Sequence, residues 1–228
     1  METMDIKKLS IKLASPMVAS MISVALYGIV DAIMIAKISD EALTAIYLSS
    51  PIQSVITAIG LGTGIGVNTV IAKSLGEKNT AKVSKVLWNG TVLLLLSWLF
   101  IFLVGVFEIV PFFHYFTPNE EIQHLGIQYL TITTLFSLGN LLQLLFQKTL
   151  ESFGNAKWSM VSQLCGAGIN LILDRILIFG VGIIPSLGII GAAIATVIGQ
   201  FCGMMIALVG ILKKVNIQKF EKNKCVLE

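Results

Sequence analysis

Six stretches of this chain, near residues 15–38, 46–70, 86–110, 125–149, 158–181 and 188–212, are apolar for about 20 residues or more each, enough to cross the roughly 30 Å hydrocarbon core of a bilayer as a helix. No water is available in lipid to satisfy exposed peptide groups, so segments of this length must close their hydrogen bonds internally as helices. With hydrophobic residues at 55% and charged residues at 13%, a soluble domain of this size is excluded. The expected fold class is therefore an all-α integral membrane protein built as a six-transmembrane-helix bundle. It divides into an amino-terminal segment 1–14, the transmembrane unit 15–212, and a basic tail 213–228.

The cations set the orientation. Of the sixteen Lys and Arg, all but Lys37 and Arg175 fall on one side if the six helices alternate in direction. They cluster before the first helix (Lys7, Lys8, Lys12), between the second and third (Lys73, Lys78, Lys82, Lys85), around the fourth-to-fifth connection (Lys148, Lys157) and in the tail. The excess of Lys marks the cytoplasmic side, which places both termini there. The loop from Pro111 to Glu121, with its Phe/Tyr cluster and His114, then belongs to the outer interface, and a short loop around Pro185 joins the last two helices.

Two carboxylates interrupt the apolar runs, Asp31 in the first and Asp174 in the fifth. A charge facing lipid is costly, so such residues face a bundle interior or a water-filled cavity and mark pathways for ions or substrates. The proposed topology puts both a few residues below the outer end of their helices, at nearly the same depth. Pairing of Asp174 with the neighbouring Arg175 is the structural alternative. Adjacent helical residues point about 100° apart, however, and a long Arg side chain reaches the headgroups from a helix end.

Polar residues recur at helical spacing on four of the segments. The fifth carries Gln163, Asn170 and Asp174 on one face; the fourth has Tyr129, Thr133, Asn140 and Gln147, with Gln143 alongside; the second has Gln53, Thr57 and Asn68; the first adds Ser20, Tyr27 and Asp31. Their plain reading is as hydrogen-bonding glue between helices, about 1 kcal/mol or less per contact. Their functional reading is as the lining of a cavity that leads to the carboxylates.

Other chemistries find little support in the sequence. Gly60 to Gly66 lacks the Lys-Ser/Thr of a phosphate loop and suits close helix packing. Cys165, Cys202 and Cys225 are widely spaced without a CxxC, and the final Cys225-Val226-Leu227-Glu228 ends in the wrong residue for prenylation. The first apolar run is too long for a signal-peptide core. Nothing suggests a hydrolytic triad, a metal cluster or a nucleic-acid surface, so neither an enzyme nor a resident cofactor is expected.

Several motifs carry a family resemblance. They are Pro16 followed fifteen residues on by Asp31, Ile71-Ala72-Lys73-Ser74-Leu75-Gly76, Glu151-Ser152-Phe153-Gly154-Asn155, Asn170-Leu171-Ile172-Leu173-Asp174, and Gly191-Ala192-Ala193-Ile194-Ala195-Thr196. Together, from about Leu13 to Lys214, they resemble the amino-terminal six-helix half of a multidrug and toxic compound extrusion (MATE) transporter of the bacterial DinF-like or NorM-like kind. The resemblance implies one lobe of a twelve-helix architecture in a bacterial plasma membrane. It also implies antiport, in which amphipathic, often cationic, organic compounds leave in exchange for H⁺ or Na⁺.

Asp31, Asn170 and Asp174 would form the cation or proton-coupling site and hold Na⁺ if sodium is the ion. Tyr129, Thr133, Asn140, Gln147 and Gln53 would line the cavity. The tail would correspond to the linker into a second lobe, and the expected partners are the small-molecule substrate, membrane lipid, and either that missing lobe or a second copy of the chain. Arg175 departs from the family pattern, which commonly has Pro after the fifth-helix Asp. The alternatives are a lipid-linked saccharide flippase of the same superfamily and a non-transporting interaction protein or inactive fragment.

Overall fold

The computed structural model describes residues 28–182 and 184–213, the backbone of 214–224, and positions 15, 18, 19, 22 and 25. All its described regular elements are helices: α1, continuous over 28–36; α2, Asp40–Gly76; α3, Thr80–Phe116; α4, Glu120–Leu135; α5, Leu138–Ser152; α6, Ala156–Phe179; and α7, Gly188–Lys224. Four of these are long and apolar enough to span a membrane, or five when α4 and α5 count as one broken span. The chain is thus a multi-pass helical membrane protein. Part of the first predicted span, including Ser20 and Tyr27, and all of segment 1–14 lie outside the described residues.

Polar residues at the helix ends fix where each helix begins. Ser39 accepts a hydrogen bond from the Ala42 amide, with Asp40 and Glu41 in the first turn of α2. Asn79 caps α3 through the Lys82 amide, and Asn119 caps α4 through Glu121 and Ile122. Lys78, at φ 57, turns the chain from α2 into α3. Both helices run 37 residues, about 55 Å, so their ends project well beyond the bilayer core.

Two expectations need correction. The loop placed from Pro111 to Glu121 is only Thr117–Asn119, because α3 continues through Pro111 to Phe116. The proline forfeits one backbone hydrogen bond, and aromatic packing carries the helix past it: Phe112 meets Phe113 edge-on at 5.3 Å and Phe116 at 4.6 Å. Pro51 of α2 is accommodated differently. The carbonyl it leaves free is that of Tyr47, which accepts from Ser50 Oγ at 2.9 Å.

The fourth span, expected to be continuous over 125–149, breaks at Phe136–Ser137 with a bend of 47° between α4 and α5. At the break Ser137 N turns to the Thr134 carbonyl at 3.2 Å, and Thr133 Oγ1 donates back to Tyr129 O at 3.0 Å. Trp98 Nε1 of α3 takes up the Leu135 carbonyl at 3.0 Å. Irregular backbone at membrane depth persists only where protein groups satisfy it in this way.

The core falls into a larger cluster around Leu141, Leu145, Leu150 and Ile71, a second around Ile35, Ala42, Ile178, Ile189 and Ala193, and a small third of Ile109, Phe113 and Leu130. Tight packing of α6 on α7 joins the first two. A side chain at Gly199 would fall 2.7 Å from the Gly166 carbonyl, so only glycine permits this approach.

Candidate functional site

The second cluster, with Ile35, Tyr129 and Ile178, lies around the two acidic residues picked out by sequence. Asp174, on the buried face of α6 between Asn170 and Ile178, is fully buried. Asp31 approaches from α1, and the two carboxyls lie within hydrogen-bonding reach of one another. Asp31 Oδ1 and both carboxyl oxygens of Asp174 are buried without a donor among the described residues. Ionised carboxylates only accept hydrogen bonds, so a proton or another cation held between them is what such a pair lacks.

Three more polar groups complete the cluster. Tyr129 of α4, 7% exposed, is close enough to both carboxyls to sense their charge, and its hydroxyl lies beside that of Thr196 on α7. Thr196 Oγ1 in turn accepts from Asn170 Nδ2 at 3.3 Å. That leaves Asn170 Oδ1 buried with no donor among the described residues. Oxygen acceptors of this kind, Asp31, Asp174 and the Asn170 amide, suit a proton or a hard monovalent cation such as Na⁺.

Arg175 takes no part. The turn of α6 that buries Asp174 leaves Arg175 exposed, and among the described residues it forms no salt bridge. The structural alternative of an Asp174–Arg175 pair is not what the fold contains.

The predicted cavity lining separates into two groups. Tyr129 belongs to the carboxylate cluster, and one turn further in Thr133 accepts a hydrogen bond from Gln53 Nε2 of α2. Asn140 and Gln147 are not at the cluster. Asn140 Nδ2 reaches Thr57 Oγ1 at 3.4 Å, and Gln147 Nε2 donates to Gln163 Oε1 at 2.9 Å, eleven residues and about 16 Å along α6 from Asp174.

Sequence reasoning did not single out Thr196 as a site residue, although it is the polar position of the Gly-Ala-Ala-Ile-Ala-Thr run. It also passed over Glu108, an exposed carboxylate on α3 that borders an apolar cavity of about 460 Å³ between α2 and α3.

The MatE family model matches residues 16–176. The chain is similar to the probable multidrug resistance protein NorM of Thermotoga maritima, 27% identical over 227 residues, covering 95% of this chain and 47% of that one. It is also similar to the FAD transporter of Shewanella oneidensis, 28% identical over 191 residues, covering 84% and 42%. Among solved structures, a MOP superfamily transporter from Pyrococcus furiosus superposes with a TM-score of 0.83 at 25% identity, covering 90% of this chain and 44% of that one. The chain spans about half the length of the curated relatives it matches.

Proposed function

The chain belongs to the MatE family of membrane transporters, and from that premise we propose that it forms half of a secondary antiporter exporting amphipathic, often cationic, organic compounds in exchange for H⁺ or Na⁺. The observation that carries this reading is the buried Asp31–Asp174 pair, which has no cationic partner among the described residues. A site of that charge takes either the coupling ion or a cationic substrate but not both at full affinity, because each neutralises the charge that attracts the other.

In the proposed cycle, the ion enters from outside, neutralises the pair and weakens its hold on the substrate. Its departure to the cytoplasm restores the charge. Asn170 and Thr196 supply oxygen atoms for the ion, and Tyr129 flanks the pair from α4 with its hydroxyl beside Thr196. Each charge moved inward through 100 mV supplies about 2.3 kcal/mol, enough for tens-fold accumulation of substrate.

Alternating access requires two repeats moving against each other around the site. The second would be a further six-helix lobe or another copy of this chain, and the Lys distribution supports a cytoplasmic side for both termini. A flippase for lipid-linked saccharides is less well supported, since the pair would repel a pyrophosphate and Arg175 faces away from it.

The test is dye export from vesicles that hold the chain together with a second lobe. Asp174→Asn is expected to abolish ion-driven export at unchanged protein level. Unimpaired export by that variant would overturn the assignment.

A further inference from the structure

The apolar faces of α2 and α3 leave between them a cavity that their own side chains do not fill. Ile52, Val55 and Ile59 line it from α2, and Gly105, Glu108, Phe112 and Tyr115 from α3, each set recurring at three- and four-residue spacing. Thr134 of α4 lines it as well, and it comes this close because residue 105 is glycine: a side chain there would fall 2.9 Å from Thr134 Cγ2. At about 460 Å³ the cavity has the size of a small-molecule site, roughly 300–1,000 Å³. It shares only α4 with the Asp31–Asp174 cluster, and on that helix Thr134 lies about 140° around from Tyr129.

Two of the polar groups that border the cavity are not used in packing. Glu108 forms no salt bridge among the described residues. Thr134 is 2% exposed, yet its hydroxyl has no hydrogen-bond partner among them. By contrast, Thr69, Thr91 and Thr149 each return theirs to the carbonyl four residues back. The depth of Glu108 completes the picture. It lies about 34 Å along α3 from Lys85, so with Lys85 at one edge of the roughly 30 Å hydrocarbon core the Glu108 carboxyl stands at the other. From there the cavity reaches back along α3 to Phe100, about 12 Å into the apolar layer.

A ligand matched to this shape has its charge at the edge of the hydrocarbon and an apolar body inside. Glu108 makes that charge positive. On the next turns of α3, Phe116 packs on Phe112 at 4.6 Å and on Tyr115 at 5.4 Å, and aromatic rings bordering the same cavity favour a cation as well. A phospholipid would bring its phosphate against the carboxylate, and none of the cavity's lining residues is basic to receive it. We propose that the α2–α3 cavity binds an amphipathic organic cation dissolved in the membrane, with Glu108 as its counter-ion and the Thr134 hydroxyl as a hydrogen-bond donor to its body. Binding here is independent of the Asp31–Asp174 pair; a contribution of this site to export would rest on the antiport reading.

The experiment uses the whole chain in phosphatidylcholine nanodiscs and a phenoxyethyl-trimethylammonium probe that carries a photoreactive diazirine on its ring. Mass spectrometry after illumination locates and counts the adducts. Saturable labelling is expected within 52–59 and 100–112. Half-saturation should need at least about tenfold more probe in Glu108→Gln and about threefold more in Thr134→Val, and should not move in Asp174→Asn. The uncharged analogue, with carbon in place of the quaternary nitrogen, should label these segments at least about tenfold less. Equal half-saturation in the wild type and Glu108→Gln, or equal labelling by the uncharged analogue, would reduce the cavity to a lipid-facing groove and overturn the proposal. Labelling that is present in detergent and absent in phosphatidylcholine would assign the cavity to phospholipid and overturn it too. Loss of labelling in Asp174→Asn would merge the cavity with the carboxylate site and overturn its independence. None of these readouts uses ion-driven export, so the proposal and the antiport reading fail separately.

Discussion

Asp174 and Arg175 are neighbours in the chain, yet the 100° step of a helix separates them into a fully buried acid and an exposed base. Arg175→Gln should therefore change the binding of a cationic probe by less than about twofold, a tolerance expected of exposed positions. Asp174→Asn should abolish its ion dependence, and titrating the two variants side by side checks both. Thr196→Val keeps the shape but strips the hydroxyl from Tyr129 and Asn170, and should weaken ion competition by about tenfold, from one lost hydrogen bond of about 1.4 kcal/mol. The two acids were legible in the sequence because charge inside an apolar run is costly wherever it occurs. Thr196 was not, since a lone helical Thr normally turns its hydroxyl to its own backbone. For Asn140 and Gln147 the plain reading as interhelical ties describes their contacts, since their partners are Thr57, Ser162 and Gln163.

Among the helices, hydrophobic run length located the spans but not their interruptions. The α4–α5 break lies within an apolar run long enough to be read as one span. There Thr133 Oγ1 donates back to the Tyr129 carbonyl, Ser137 N turns to the Thr134 carbonyl, and Trp98 takes the Leu135 carbonyl, a partner 37 residues away in sequence. Trp98→Phe should lower stability by about 1 kcal/mol, the typical loss for one hydrogen bond, as read from the unfolding temperature in detergent. Pro111 misled in the opposite direction, since its helix is held by tertiary aromatic contacts that no local pattern reveals. The α6–α7 contact supplies a sharper check. Gly199→Leu must displace the Gly166 backbone and should cost about 3 kcal/mol or more. Gly62→Ala, where an added Cβ meets nothing within 4 Å, should leave the unfolding temperature unchanged or slightly raised.

At the scale of the whole molecule, the carboxylate cluster draws on α1, α4, α6 and α7 of this one chain. The account accordingly separates binding from transport. Ion and substrate should compete for the chain by itself, whereas uphill accumulation in vesicles should require a second lobe. The direct measurement is the affinity of the isolated chain, in lipid nanodiscs, for tetraphenylphosphonium as pH is lowered and, separately, as Na⁺ is raised. The account predicts that one of these ions weakens binding at least tenfold in the wild type and that the effect vanishes in Asp174→Asn. Binding that ignores both ions, or that depends on them equally in the two proteins, would contradict the assignment of the Asp31–Asp174 pair as the coupling site.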